Sequence, residues 1–217
     1  MRNETKQFLV LGLGRFGASL AESLCKMGHE VLAVDSDEQL VADVAPYVTQ
    51  AVQADATDED ALESLGVKNF DVAIVSIGSN VRDSILVSVL CKEMGVPYVV
   101  AKAVDDLHAK VLRKVGVDRV VFPERDMGQR MAKSLVMPNI LDLVELADGY
   151  EIAEVVAPAS WCGRTLAEIN VRRKYGVSVI ALRRGQTLLA SPGAEERPES
   201  GDVRVLLGKS QEIDDMR

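Results

Sequence analysis

The chain has 217 residues, 47% of them hydrophobic, enough to bury a core for one large domain or two small ones. Thirty-three acids against 25 lysines and arginines leave a formal net charge of −8, and no basic block or aromatic-basic platform interrupts that balance, so nucleic acid is not an expected partner. No apolar run reaches the roughly 20 residues that cross a bilayer, so no direct membrane insertion is expected, and the polar opening MRNETKQ does not resemble a signal peptide, which points to a cytoplasmic location.

The first predicted strand, Gln7 to Leu11, opens the most informative stretch of the chain, Val10 to Asp35. It reads as strand, glycine turn, amphipathic helix, second strand and terminal acid. In this order Gly12 permits a tight turn, Gly14 lets the backbone approach a diphosphate, Gly17 allows close helix packing, and Asp35 is placed to bond a ribose hydroxyl. The helix starting near Arg15 carries Phe16, Leu20 and Leu24 on one face and points its free N–H groups at the phosphates. GxGxxG alone is weak evidence; the flanking strands and the acid make it a nucleotide fingerprint.

Further apolar runs at Val31 to Val34, Thr49 to Gln53, Val72 to Ser76, Tyr98 to Ala101 and Arg119 to Phe122 alternate with helical periodicity. They predict an α/β fold, a Rossmann-like doubly wound parallel sheet covered on both faces. Thr57 reads as the N-cap of the helix in DEDALESLG and Gly66 as its C-cap. Glu124 to Val136 reads as one more helix, and Pro138 with Asn139 breaks the pattern before ILDLVEL. The expected domains are therefore 1–138, a nucleotide-binding domain; 139–148, a hinge or crossover; and 149–217, a small α+β lobe.

That lobe begins after Asp148 and Gly149 with the strand EIAEVVAP, the helical piece TLAEI, and the strands VSVIALRR, QTLLAS and VRVLLG. Its small size makes pairing with a second copy a reasonable expectation. The loop SPGAEERPESGD reads as polar and merely solvated. Cys25, Cys91 and Cys162 have no metal-binding spacing and read as reduced thiols, the first two as core filler. His29 falls in a helix-to-strand turn, and His108 reads as a surface-helix residue with no carboxylate partner.

Several residues fall at the carboxyl edge of the predicted sheet, where ligands of open α/β folds bind. Asp55, Ala56 and Thr57 follow the third strand; Asp55 either faces an adenine or caps the next helix. Ile77 and Gly78 follow the fourth strand, and Lys102, at the end of the fifth, is a candidate phosphate contact.

The segments GLGRFG, HEVLAVDSDEQ, QADATDEDAL, LGVKNFDVAIVSIGSN, AKAVDDLHAKVLRKVGVDRVVFPERDMG and INVRRKYGVSVIALRRG together resemble the KtrA/TrkA family, the cytosolic RCK regulators of bacterial potassium transport. The resemblance runs from about Lys6 to Lys209 and covers both family domains, RCK N-terminal and RCK C-terminal. It implies a regulator with no catalytic cycle, a homo-oligomer whose dimers form an octameric ring beneath an integral-membrane K+ channel subunit (KtrB/TrkH-like), and gating by ATP against ADP. By the same resemblance Arg15 reaches the γ-phosphate bound by a neighbouring subunit; from the residues alone it is a helix N-terminal arginine that the dipole slightly disfavours. Glu124, which otherwise reads as an ordinary first-turn acid, is implied to help bind a cation, Mg²⁺ or Ca²⁺ or Na⁺, at the subunit interface. Ile169, Asn170 and Arg172, with Val171, Tyr175 and Val179, match the region where several family members bind cyclic di-AMP, though Arg173 departs from the usual alanine.

Two rival readings share the nucleotide site. One is an NAD(H)-dependent oxidoreductase or NADH sensor, which Asp35 suits but for which two histidines without an evident partner offer little chemistry. The other is an RCK regulator of a cation efflux system.

Overall fold

The computed structural model describes residues 5–136, 140–146 and 149–216, which divide into two compact units, Met1–Arg125 and Asp126–Arg217. The first unit alternates strand and helix throughout: β1 (Gln7–Leu11), α1 (Arg15–Lys26), β2 (Glu30–Asp35), α2 (Glu38–Val44), β3 (Gln50–Gln53), α3 (Glu59–Ser64), β4 (Val72–Val75), α4 (Val81–Glu93), β5 (Tyr98–Lys102), α5 (Asp106–Lys114) and β6 (Arg119–Val121). All six strands are parallel, in the order β3-β2-β1-β4-β5-β6. This is the doubly wound arrangement expected from the alternating runs, with the order reversing between β1 and β4.

The runs are apolar at nearly every position because each strand feeds two cores. Leu9, Leu11, Ala73, Val75, Val99 and Ala101 pack into one face, and Val10, Val31, Ala33 and Ile74 into the other. Four helices carry their own N-terminal caps: Asp37 on α2, Asp58 on α3, Asn80 on α4 and Asp105 on α5. Asp58 thus takes the position expected for Thr57. Its carboxylate accepts from the Asp60 and Ala61 N–H groups, where a negative charge also opposes the helix dipole, while the Thr57 hydroxyl bonds Asp55 instead.

His108 is a second correction. It is buried, not on the surface, because α5 turns His108, Ala109 and Leu112 into the sheet. Its Nδ1 accepts from the Val104 N–H, and burial pushes its pKa down, which keeps the imidazole neutral. Cys91 is buried as expected, its thiol pushed up to about 12.

The second unit holds most of α6 (Pro123–Val136), which begins at a proline suited to a first helical position, and then β7 (Ile140–Glu145), β8 (Tyr150–Val156), α7 (Leu166–Ile169), α8 (Val171–Tyr175), β9 (Ser178–Arg184), β10 (Thr187–Ala190), β11 (Val203–Lys209) and α9 (Ser210–Asp214). Its five strands are antiparallel in the order β10-β9-β11-β8-β7. The segment read from the sequence as a connection contains β7, whereas the expected breaks at Pro138 with Asn139 and at Asp148 lie outside the described residues. The core joins Ala153, Val155, Trp161, Ile169, Val171, Val177 and Leu206.

The loop 191–202 is more than a solvated tract. Arg184 donates from Nε and Nη2 to the Asp202 carboxylate and lies 2.9 Å from Glu199, and Asp202 also accepts from the Glu199 N–H at 2.9 Å. Asp202 is buried, and the Arg184 guanidinium, with help from the Glu199 N–H, holds its carboxyl below the usual range against the opposing effect of burial. A depressed native pKa contributes stability that is present above the unfolded value and lost as pH falls through the native one. Asp202→Asn should therefore lower the melting temperature near pH 7 by about 2–4 °C, and thermal melts from pH 7 to pH 3 should show that difference shrinking towards the acid end.

Candidate functional site

The turn after β1 is built by two close approaches. Gly12 has φ +97, a region that favours glycine, and a Cβ there would press on the Ser76 backbone at 3.1–3.2 Å. Gly17 sits so close beneath the turn that a Cβ would run into the Gly12 carbonyl oxygen and meet Ser76 Oγ at 3.0 Å. Gly14 differs, since a Cβ there meets nothing within 4 Å. Its lack of a side chain leaves the backbone open to an outside group.

Gly14 is also the N-cap of α1, and it supplies no side-chain hydrogen bond. Helices α2 to α5 satisfy part of their N-terminal N–H groups with an aspartate or asparagine, but α1 leaves that task to something else. An exposed, uncapped helix start with the positive end of its dipole beside a glycine turn is suited to a phosphate.

Asp35 closes the other side of the turn. One carboxylate oxygen accepts from the Leu13 N–H at 2.6 Å and the other from the Asp37 N–H at 2.9 Å. Each oxygen retains a lone pair, so the same acid that braces the turn can accept from a ribose hydroxyl. Asp55 faces Thr57, accepting from its N–H at 2.9 Å and its hydroxyl at 2.7 Å. The Thr57 hydroxyl first, then its N–H, hold the Asp55 carboxyl low, and Ala56 beside it is buried. Of the two roles left open for Asp55, capping α3 falls to Asp58.

The cationic side of the sheet edge is a cluster. Lys102 ends β5 with its side chain only 15% exposed, its Nζ 3.3 Å from where a Gly78 Cβ would stand, and it forms an ion pair with Glu124 in the first turn of α6. Lys102 is the main cause of a lowered Glu124 pKa; partial burial opposes it, and the charge of Arg15 adds to it. Phe16 and Ile77 are half-buried, and Arg15 is exposed. The expected N-terminal site residues therefore gather at the carboxyl ends of β1 to β6.

Glu124 is the one acid that the sequence points to for a cation, and in this chain its partner is an ammonium group. Among the described residues no group of three or more His, Cys, Asp or Glu could hold a metal ion. Phosphate oxygens of a bound nucleotide would be suitable further ligands for a cation at Glu124.

In the second unit Ile169 lies in the core, Asn170 takes φ +52 between α7 and α8, and Arg172 is exposed. Tyr175 and Val179 pack against that core half-buried. Sequence reasoning missed Ser76, whose buried Oγ has no hydrogen-bond partner under the turn, and the pairing of Lys102 with Glu124. The second had a signal: Lys102 ends β5, and Glu124 follows shortly after β6, the neighbouring parallel strand.

Two family models match the chain, the TrkA-N domain over residues 8–123 and the TrkA-C domain over residues 150–217. Ktr system potassium uptake protein C of Bacillus subtilis (strain 168) is 42% identical over 208 residues, covering 96% of this chain and 94% of its own. Ktr system potassium uptake protein A of the same organism is 42% identical over 212 residues, covering 98% and 96%. Among solved structures the GsuK channel superposes with a TM-score of 0.70 at 18% identity, covering 100% of this chain and 39% of that chain. The GsuK channel bound to NAD matches with a TM-score of 0.64 at 18% identity, over 98% and 39%. Among the described residues no helix is long and apolar enough to cross a membrane.

The two critical glycines make separable predictions. Gly17→Ala should destabilise the first unit by about 1–3 kcal/mol, read by chemical denaturation, because the turn must move. Gly14→Ala should cost at most about 1 kcal/mol of stability, because alanine is the poorer N-cap, and weaken nucleotide binding at least about tenfold, about 1.4 kcal/mol, read by calorimetric titration.

Proposed function

The chain belongs to the KtrA/TrkA family, with the N- and C-terminal RCK domains in order, and from that premise we infer that it is the cytoplasmic regulatory subunit of a Ktr/Trk-type potassium-uptake channel, not an enzyme. The observation that carries a ligand-gated role is the uncapped start of α1 at the glycine turn, with Arg15 and the Lys102–Glu124 pair at the same sheet edge.

The ligand we propose there is ATP or ADP. Gly12, Gly14 and Gly17 shape the turn, the first N–H groups of α1 take phosphate oxygens, Asp35 takes a ribose hydroxyl, and Asp55, Ala56, Thr57, Ile77 and Gly78 border the base and the turn. Lys102 offers a charge to the phosphates, and Arg15, exposed beside Glu124, reads the presence of a terminal phosphate, including one held by a neighbouring subunit. Glu124 then trades part of its Lys102 pairing for a divalent cation or Na⁺ shared with the phosphates. A ligand moves the subunit only through different affinities for two assembly shapes.

The assembly proposed is a homo-oligomer, dimers closing into an octameric ring against the membrane channel subunit. Domains 1–138 and 149–217 act as nucleotide and second-ligand modules joined through 139–148, with Ile169, Asn170 and Arg172 in the region offered to cyclic di-AMP. A second reading, NAD(H) in the same turn, is favoured by Asp35 and by the NAD bound to the GsuK channel.

Calorimetric titration with ATP, ADP and NADH, each with and without Mg²⁺, tests the first reading. Tighter, Mg²⁺-dependent ATP binding is the expected outcome, and a clear preference for NADH overturns it. Arg15→Ala should cut ATP affinity about tenfold, about 1.4 kcal/mol, while leaving ADP affinity within about twofold; an equal loss for both removes Arg15 from the terminal phosphate. Glu124→Gln should flatten the Mg²⁺ dependence of ATP binding.

A further inference from the structure

One charged side chain in the second unit has no role in the reading above. Arg204, on β11, is 1% exposed and shares its strand face with Leu206, a member of the unit's core. Across the ladder it stands opposite Val155 of β8, another core residue. Its guanidinium lies over the Trp161 ring, 4.2 Å from the centroid. Such stacking fixes the plane of the guanidinium and leaves its N–H edges to find acceptors.

They find none. Nε and Nη1 are both buried without a hydrogen-bond partner. The neighbouring acids are engaged elsewhere: Asp202, two residues earlier, holds Arg184; Glu154, beside Val155, holds Arg183 at 2.8 Å; and Glu151 accepts from the Ser210 hydroxyl at 2.9 Å. Burial pulls the Arg204 pKa down to about 10, with nearby Tyr175 opposing it, so the group remains a cation at neutral pH. Tyr175 carries a second cation on its ring, with Lys174 Nζ 4.8 Å from the centroid. Among the described residues no carboxylate is hydrogen-bonded to Arg204, although two aromatic rings and a second cation lie close by. A hydrophobic residue of similar volume would fill this space without the cost of an uncompensated buried charge.

We propose that Arg204, held flat by Trp161, is the cationic centre of an oxyanion site in the second unit, taking the carboxylate or phosphate group of a small ligand. The site is distinct in chemistry from the glycine turn, since it offers a guanidinium fork where the turn offers backbone N–H groups. Occupancy by such a group would supply the acceptors that Nε and Nη1 lack.

The test is thermal unfolding of the full chain in sodium phosphate, sodium acetate and sodium chloride at matched ionic strength, for the parent protein, Arg204→Met and Arg204→Lys. Phosphate also has access to the glycine turn, so the informative quantity is the increment over chloride that Arg204→Met removes. The expected result is an increment of at least about 3 °C at ten times the dissociation constant, absent in Arg204→Met and mostly lost in Arg204→Lys, which keeps the charge but not the fork. An increment with phosphate alone identifies a phosphate site, and one with acetate a carboxylate site. Equal increments in the parent and Arg204→Met, or none over chloride in the parent, overturn the proposal and leave Arg204 as packing on Trp161.

Discussion

The first unit depends on how closely α1 approaches the turn that precedes it. Gly17 lies against the Gly12 carbonyl, Gly12 lies against the Ser76 backbone, and the Leu13 N–H is tied to Asp35. These three contacts draw the ends of β1, β2 and β4 to one point and set the start of α1 over the place where the strand order reverses. Any side chain at Gly12 or Gly17 would push the helix away, and the crevice would lose its floor. The candidate site is therefore a consequence of close packing, not an addition to it.

The same geometry explains why α1 lacks a side-chain cap. An aspartate or serine at residue 14 would satisfy the helix start, as Asp37, Asp58, Asn80 and Asp105 do for their helices, and would fill the space a phosphate needs. Glycine leaves both the N–H groups and the space free. Water can satisfy these exposed N–H groups, and an anion would do so with the added attraction of the dipole, so the proposed ligand would stabilise this region. Around it Arg15, Lys102 and Glu124 form a small set of charges, two positive and one negative, whose net positive charge suits a phosphate.

The second unit follows a different logic. Its short strands enclose a small core, and charged pairs carry much of the organisation at its edges: Arg184 fastens the 191–202 loop through Asp202, and Arg183 meets Glu154. Arg204 stands out against them as a buried cation placed on Trp161, with no acid bonded to it among the described residues.

Most of the first unit was legible in the sequence because its signals are local. Apolar runs at every strand, helical periods between them, and the glycine spacing of residues 12, 14 and 17 determine the parallel sheet, the turn and the position of Asp35. Asp58 rather than Thr57 as the cap, the burial of His108 and the fastening of the 191–202 loop were decided by the tertiary structure, because each depends on which partner lies across the fold. The pairing of Lys102 with Glu124 and the isolation of Arg204 belong to the same class. A sequence displays a charge, but only the assembled strands determine whether a counter-charge stands within reach, and the free energy of a buried charge depends on that distance.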